Sequence, residues 1–422
     1  MPKFNHILIC VFAALFFACS LNEKDIFPAS SADRLNQALE VDNNALIAAK
    51  NGWVMEYFAT PNSAGYTFLV KFNASGQAIF TAKNEFTTNA EIESDSCLYQ
   101  LIGDNGPVLT FDTYNKILHR FSTPENPDGI GLAGDYEFVV MKVADDLITL
   151  RGKKRNSVIL LKKLAPGVSW NQYINNLDAL NTFIFSKKSP TLTLKVDTKT
   201  ISFSNGYKHI FNIVTNAPEA DKIDKKIPFV VTSNGIRLYS ELEFGGYKFQ
   251  NFELNADKSV LVSVEHPQFK LVGAEDLALY FVSNVVTWDF VPNELSADVL
   301  QMYNQLVNSC QTNYNAQDIK LSIKYSTFNR SFMLALSFVS NAVPVEGNMY
   351  MSLNTSGLNG IVIGSKNDGD GKIYYNEVAG YKEMISYLNS TFAVSTASAL
   401  NPQKIKFSKK TISSSFFNLI QK

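Results

Sequence analysis

From Trp53 to Leu164 apolar and polar residues alternate in short runs, each bounded by Gly, Asn, Asp or Pro. The runs are Trp53 to Phe58, Tyr66 to Phe72, Ala78 to Ala82, Cys97 to Ile102, Val108 to Phe111, Ile117 to Phe121, Tyr136 to Val143, Ile148 to Gly152 and Val158 to Lys163. A period of two puts one set of side chains on one face, so each run reads as a half-buried strand. Asn73-Ala74-Ser75-Gly76 and Lys153 to Asn156 read as hairpin turns. Consecutive hairpin-linked strands must bury one face and hide their edges, and closing into an up-and-down barrel does both. The pattern therefore predicts a lipocalin-like antiparallel barrel, with Trp53 at the base of its first strand. Ahead of it, Leu35, Leu39, Val41, Leu46 and Ile47 recur at helical spacing behind a Ser/Asp start, predicting a helix over Ser31 to Lys50 and a domain over 31–165.

A second helix is expected over Val168 to Leu180, after Pro166-Gly167. Alternation then resumes through Phe183 to Ser186, Thr191 to Val196, Ile201 to Ser204, His209 to Val214, Pro228 to Thr232, Gly235 to Tyr239, Tyr247 to Leu254, Val260 to Val264 and a long run from Leu277 to Phe290. A helix over Leu295 to Ser309, capped by Ser296 or Asn293, is followed by four strands between Ile319 and Ile363, a helix around Glu377 to Asn389 and two terminal strands. The expected fold class is mainly β, with 166–422 a β-rich region carrying a few packing helices and open to division into two subdomains. The phrases VKFNASGQAIF, FELNADKSVLV and MSLNTSGLNGIVI look alike. Asn-led hairpin turns recur in any antiparallel protein and explain them without a duplicated unit.

The first residues follow a different rule. A polar start with Lys3 and His6 precedes the apolar run Ile7 to Ala18, and Ala18 precedes Cys19. That is the layout of a secretory signal peptide over 1–18, too short to span a bilayer core of about 20 helical residues. Leu15-Phe16-Phe17-Ala18-Cys19 resembles the lipobox of bacterial lipoproteins, with Phe16 where Leu is commoner. The resemblance implies an acylated (palmitate-type) Cys19 and a lipidated tether over 19–30. The polar stretch Ser20 to Asp25, with two acids, resembles the export tag of surface lipoproteins. The expected location is the outer membrane, lipid-anchored and cell-surface exposed.

Composition narrows the rest. Lys plus Arg number 38 against 39 Asp plus Glu, and removing Lys3 with the leader leaves 37 against 39. A chain this close to neutrality gives no electrostatic case for nucleic acid. Four cysteines become two once Cys10 leaves with the leader and Cys19 carries lipid. Cys97 and Cys310 form no disulfide framework, and two isolated thiols are more often small buried hydrophobes than an interdomain bridge.

The phrases NGWVMEYF (51–58), GYTFLVKFNASG (65–76), GPVLTFDTYNKILHRFS (106–122), GDYEFVV (134–140) and LRGKK (150–154) together resemble a lipoprotein family of Bacteroidetes, the domain of unknown function numbered 4302. The likeness runs loosely from Asp25 over almost the whole chain. It implies a lipoprotein accompanying starch-utilisation-type uptake systems and carries over no activity and no site.

Candidate chemistry is thin. His119, His209 and His266 stand in separate strand contexts without metal-ligand spacing. His119 has Asp112, Asp135 and Glu137 near it in sequence, as an acid/base pair would need. Cys97 has acidic neighbours Glu91, Glu93 and Asp95, which raise a thiol's pKa where nucleophilic catalysis needs it lowered. No GxSxG elbow occurs. Asp368, Asp370 and Glu377 occupy calcium-loop positions, but Lys366 falls on position one and would repel the ion. The basic group from Arg151 to Lys163 reads as a solvated hairpin tip. Tyr99, Tyr114, Trp170, Tyr374 and Tyr375 fall near loops, where flat rings could grip a glycan. The sequence thus points to a non-enzymatic surface lipoprotein without cofactor, an accessory or ligand-capturing component of an outer-membrane uptake assembly. The alternatives are a carrier of a small apolar ligand in the barrel cavity and a hydrolase with an unrecognised site.

Overall fold

The computed structural model describes residues 29–123, 131–186, 189–215, 222–328 and 330–422, so Cys19, the leader and most of the tether lie outside the described residues. The described chain forms three closed eight-stranded antiparallel barrels in tandem. In the first, β1 (Trp53–Phe58) to β8 (Val158–Lys163) follow chain order and β1 pairs with β8 to close the ring. This is the up-and-down barrel expected from the alternation. The second barrel runs from β9 (Leu192–Val196) to β16 (Lys270–Val272) and the third from β17 (Trp288–Phe290) to β24 (Phe416–Gln421), each again closed by its first and last strands. Closure leaves these rings no unpaired edge.

Each barrel is filled with side chains. Phe68, Phe80, Phe111 and Phe138 are almost fully buried inside the first. Phe203, Phe211, Phe229 and Phe252 fill the second, and Phe281, Phe392, Phe407 and Phe417 the third. Eight strands make an interior about wide enough for side chains alone. The expected ligand space inside the N-terminal barrel is therefore occupied by rings.

Helices close the mouths. Helix α1 (Ser31–Ala48) lies over barrel one, where the Trp53 indole Nε1–H donates to the Leu46 carbonyl at 2.8 Å. Helix α2 (Trp170–Ile184) joins barrels one and two. One side packs Ile174 on Val54 and Leu69 of barrel one, while Leu177 and Ile184 enter the core of barrel two. Helix α3 (Leu277–Ser283) precedes barrel three, and α4 (Ala297–Tyr314) is inserted after its first strand.

Three runs expected as strands fold otherwise: Phe183 to Ser186 forms the end of α2 and the coil after it, and the other two are redirected by side-chain capping. In Ile117 to Phe121, Asn115 Oδ1 accepts from the backbone N–H of Ile117 and Leu118 at 3.0 Å each, which winds the segment into a turn. In the run from Leu277, Asp276 Oδ1 accepts from Ala278 N–H (3.0 Å) and Leu279 N–H (3.1 Å), so the apolar run starts as a helix and becomes a strand only at Trp288. Ser296 does precede α4, but its hydroxyl caps no helix N–H: it is bonded to Asp298 Oδ1 and to the Phe416 backbone of the neighbouring strand. The three look-alike phrases form the hairpins β2 (Gly65–Phe72) to β3 (Gln77–Ala82), β14 (Tyr247–Leu254) to β15 (Leu261–Ser263) and β20 (Val343–Thr355) to β21 (Gly360–Ser365), which occupy different places in their barrels. Their likeness is local: Asn73 and Asn255 each accept two backbone N–H bonds within the turn.

Barrels one and two are joined through the outer face of β1. Every residue of β1 is buried: Trp53, Met55 and Tyr57 point inward, and Val54, Glu56 and Phe58 outward. Glu56 pairs with Arg237 of β13 (Gly235–Phe244) in barrel two and, through its other oxygen, with Lys162 Nζ at 2.6 Å. The Glu56 and Arg237 side chains are 3% and 7% exposed. The Arg237 guanidinium also lies over the Phe58 ring at 5.8 Å. Around them, Thr67 Oγ1 donates to the Val231 carbonyl (3.0 Å) and the Phe58 and Tyr239 rings meet edge-on at 4.8 Å. The backbones approach so closely at Gly65 that a Cβ there would sit 2.4 Å from the Phe229 carbonyl oxygen. Barrels two and three are stapled by a loop of the third, whose Leu400 is buried in the core of the second and whose Ala399 carbonyl accepts from Ala274 N–H.

Removing one member of a buried ion pair strands the other charge, at a cost of about 3–5 kcal/mol. Arg237→Met is expected to lose stability on that scale in urea unfolding, and the double variant Glu56→Leu/Arg237→Met to recover most of it. A single variant as stable as the parent would show that the pair does not hold the barrels.

Candidate functional site

A cavity of about 670 Å³ opens beside this junction, between barrel one, barrel two and α2. Barrel one contributes Tyr66, Lys83 and Glu85, the helix contributes Asp178 and Asn181, and barrel two contributes Tyr207, Lys208 and His209. The register of α2 places Ile174, Leu177, Asp178 and Asn181 on one face, the spacing of adjacent turns. Tyr66 and His209 stand where β2 (Gly65–Phe72) and β11 (Ile210–Thr215) begin, at the rims of the two barrels.

The charges of the cleft are largely matched within it. Lys83 Nζ lies 2.9 Å from Asp178 Oδ2, and this partner raises the lysine's pKa. The Tyr66 hydroxyl donates to Glu85 Oε1 at 2.8 Å, and burial, reinforced by the Glu85 charge, pushes its pKa well up. His209 is the pivot. Its Nδ1 lies 2.7 Å from the Gly65 carbonyl, which can only accept, so Nδ1 carries a proton. Its Nε2 lies 2.9 Å from the Asn181 carboxamide. Burial lowers the His209 pKa and favours the neutral ring. With both nitrogens within hydrogen-bond distance of protein partners, this imidazole positions three elements and is not placed for proton abstraction. Among the described residues that line the cleft there is no serine or cysteine.

The aromatic residues singled out from sequence are scattered. Tyr99 is only 4% exposed, a core residue of barrel one whose hydroxyl lies 3.1 Å from both Asn43 Oδ1 and the Asn73 carbonyl. Trp170 is half-buried, with its Nε1–H on the Asn51 carbonyl at 2.8 Å. Tyr374 and Tyr375 lie on the short helix α5 (Lys372–Glu377) and pack against the core of barrel three. Tyr114 is exposed and forms a row with His119 and Tyr136, at ring separations of 5.5 and 5.0 Å. His119 Nδ1 accepts from Asn115 N–H, and burial lowers its pKa. Asp135, one of its sequence neighbours, is turned instead to the backbone N–H of Lys154 and Arg155.

The calcium candidates also go separate ways. Asp370 Oδ1 accepts from Asn348 N–H, Asp368 Oδ1 from Gly369 N–H, and Glu377 from the Tyr314 hydroxyl. Cys97 and Cys310 are free and buried. Burial, reinforced by Asp95, pushes the Cys97 thiol up to about 12, and burial pushes Cys310 up to about 11.

Of the cleft residues only His209 stands out in the sequence, and there it is set aside for want of metal-ligand spacing; Tyr66 lies in the phrase GYTFLVKFNASG. One signal could have located the junction: β1 reads WVMEYF, apolar on both faces apart from Glu56, as a strand buried on both sides does. A lone acid in such a strand calls for a partner outside its own barrel.

The molecule is thus a tandem triple-barrel protein with a polar, ring-bearing cleft at one interdomain junction. The family model of the domain of unknown function DUF4302 matches residues 23–256, more than half of the chain, and the chain belongs to that family. The match includes all the residues that build the cleft. A search of curated proteins gives no match. Solved structures similar to the chain include the β subunit from DNA polymerase of Streptococcus pyogenes, 13% identical over 91% of this chain and 98% of that one, with a TM-score of 0.15. The β sliding clamp of C. crescentus is 10% identical over 92% and 96%, with a TM-score of 0.14. Likeness at these scores carries no argument about fold or function.

With both thiols largely protonated and buried, a disulfide-exchange reagent at mildly alkaline pH is expected to label Cys97 and Cys310 only after unfolding, as located by mass spectrometry. Labelling of either residue in the native protein would contradict the burial. A second expectation concerns pH. A histidine whose folded pKa lies below its ordinary 6.5 contributes full stability above that value, lost as pH falls through it toward the folded pKa. His119 is shifted in the same direction, so the measurement is a comparison. His209→Asn should show a shallower loss of stability on acidification below about 6.5 than the parent, and equal slopes would count against a buried neutral His209.

Proposed function

We propose that this chain is a cell-surface lipoprotein, anchored in the outer membrane through acylated Cys19, that captures a ligand for an uptake assembly without transforming it. The observation that carries this reading is the interbarrel cleft. It is roomy, polar and aromatic, it sits at a domain junction where small-molecule sites concentrate, and its polar groups are engaged with one another in pairs. Catalysis needs a base with a lone pair directed at a nucleophile or at substrate. In this cleft both nitrogens of His209 face protein partners, Asp178 is paired with Lys83, and Glu85 accepts from Tyr66.

The same structure weighs against the two alternatives. A carrier of the lipocalin kind needs free volume inside the barrel, and Phe68, Phe80, Phe111 and Phe138 occupy that space. A metal-dependent hydrolase needs a cluster of ligating side chains, and no group of three or more His, Cys, Asp and Glu side chains suited to hold a metal ion occurs among the described residues. The leader supports the location: a run of twelve residues from Ile7 to Ala18, then Cys19. No helix among the described residues is long and apolar enough to cross a membrane, a statement that does not bear on strands.

The test is a mild-detergent pull-down of the tagged protein from its native membranes, read by mass spectrometry, beside a Cys19→Ala control. The parent is expected in the membrane fraction with a transporter of the outer membrane, and the control in the soluble fraction. A parent that fractionates as soluble would end the anchored reading, and recovery of the parent alone would end the accessory one.

A further inference from the structure

A second cavity, of about 530 Å³, opens at the mouth of barrel two, against Phe185, Phe203 and Phe211. It shares Tyr207, Lys208 and Ile210 with the interbarrel cleft, so the two are separated only by the turn 206–208. That turn is held in an uncommon shape. The residues on either side of it, Asn205 and His209, both adopt the left-handed conformation, with φ of 61° and 56°. Non-glycine residues stay there only where surroundings over-determine them, and such strain clusters at ligand-binding sites. Here the surroundings are visible: His209 is tied to Gly65 and Asn181, and a Cβ on Gly206 would meet the Phe211 ring at 2.6 Å. The result is a rigid ridge carrying the exposed Tyr207 ring between two hollows.

We infer that the two hollows form one groove for an extended oligosaccharide, with Tyr207 as the ring on which a central sugar stacks. The inference rests on the ligand-capturing reading above and adds the ligand class. Either hollow alone falls within the range of about 300–1,000 Å³ that one small ligand fills, so a ligand covering both has several units. The acids of the first hollow, Asp178 and Glu85, are already engaged by Lys83 and Tyr66, which leaves no acidic cage for a cation. The lining otherwise offers hydroxyl and carboxamide groups and the Lys208 and Lys226 ammonium groups as donors beside ring faces, the complement of a sugar's hydroxyl oxygens and apolar faces. An extended peptide would instead seek an unpaired strand edge, and the closed barrels present none there.

The test is isothermal titration of the full chain in detergent with ladders of defined α-glucan, β-glucan, mannan and xylan, from one to about eight sugars, against Tyr207→Ala and Tyr207→Phe. Affinity for one ladder is expected to rise about tenfold or more, about 1.4 kcal/mol, from the monosaccharide to a chain that spans both hollows. Tyr207→Ala should abolish that rise and Tyr207→Phe should keep it. Because Tyr207 is exposed, loss of folding does not explain a loss of binding, and matching thermal unfolding of the variants checks this. Length-independent binding, an unchanged Tyr207→Ala or no binding to any ladder overturns the groove. If the native pull-down still recovers a transporter, the capture reading survives that failure; if neither binding nor partner is found, both fall.

Discussion

A carboxylate taken out of water must find its counter-charge, and in this molecule the counter-charge of Glu56 belongs to another barrel. The pair with Arg237 converts two self-contained rings into one body, because parting them would strand a charge in an apolar seam. Apolar contact alone would let the barrels settle in several orientations; a bidentate-capable guanidinium over Phe58, with Lys162 on the second carboxylate oxygen, restricts them to one. The Thr67 bond to Val231, the close approach at Gly65 and the His209 bridge all require that orientation. The cleft and its ridge are consequences of how the barrels are held, since their walls come from both rings and from the helix wedged between them.

Much of the architecture was legible because alternation is a local signal. Eight strands and a closed ring followed from residues 53–164, and Trp53 did stand at the base of β1. Two of the misreadings came where one side chain outweighs the pattern: Asn115 and Asp276 each capture two backbone N–H groups and redirect an apolar run. The family resemblance was legible in phrases that lie in barrel one. The division of residues 166–422 into two further closed rings was not, because ring closure is a pairing between first and last strands that no local run encodes.

The site was less legible than the fold. Ring-bearing loop residues were sound guesses for exposure in Tyr114 but not in Tyr99, whose position in β4 (Glu93–Gly103) places it inward. Tyr66, Lys83, Asp178, Asn181 and His209 span more than a hundred residues of sequence, and only the docking of two barrels assembles them. A site formed between domains leaves each contributor looking like an ordinary rim residue, so spacing motifs cannot find it.

The loop carrying Leu400 has a consequence for how the chain is made. Leu400 fills a place in the core of barrel two, yet it belongs to a loop of barrel three that follows the last strand of barrel two by more than a hundred residues. Barrel two can close its ring from its own strands, but its apolar mouth stays open to solvent until the C-terminal strands have emerged and folded. The middle barrel is therefore unfinished until the third has formed, and the loop around Leu400 acts as the stopper that completes it. A chain lacking that loop would carry an exposed hydrophobic opening, the kind of defect by which cellular quality control recognises a protein for removal.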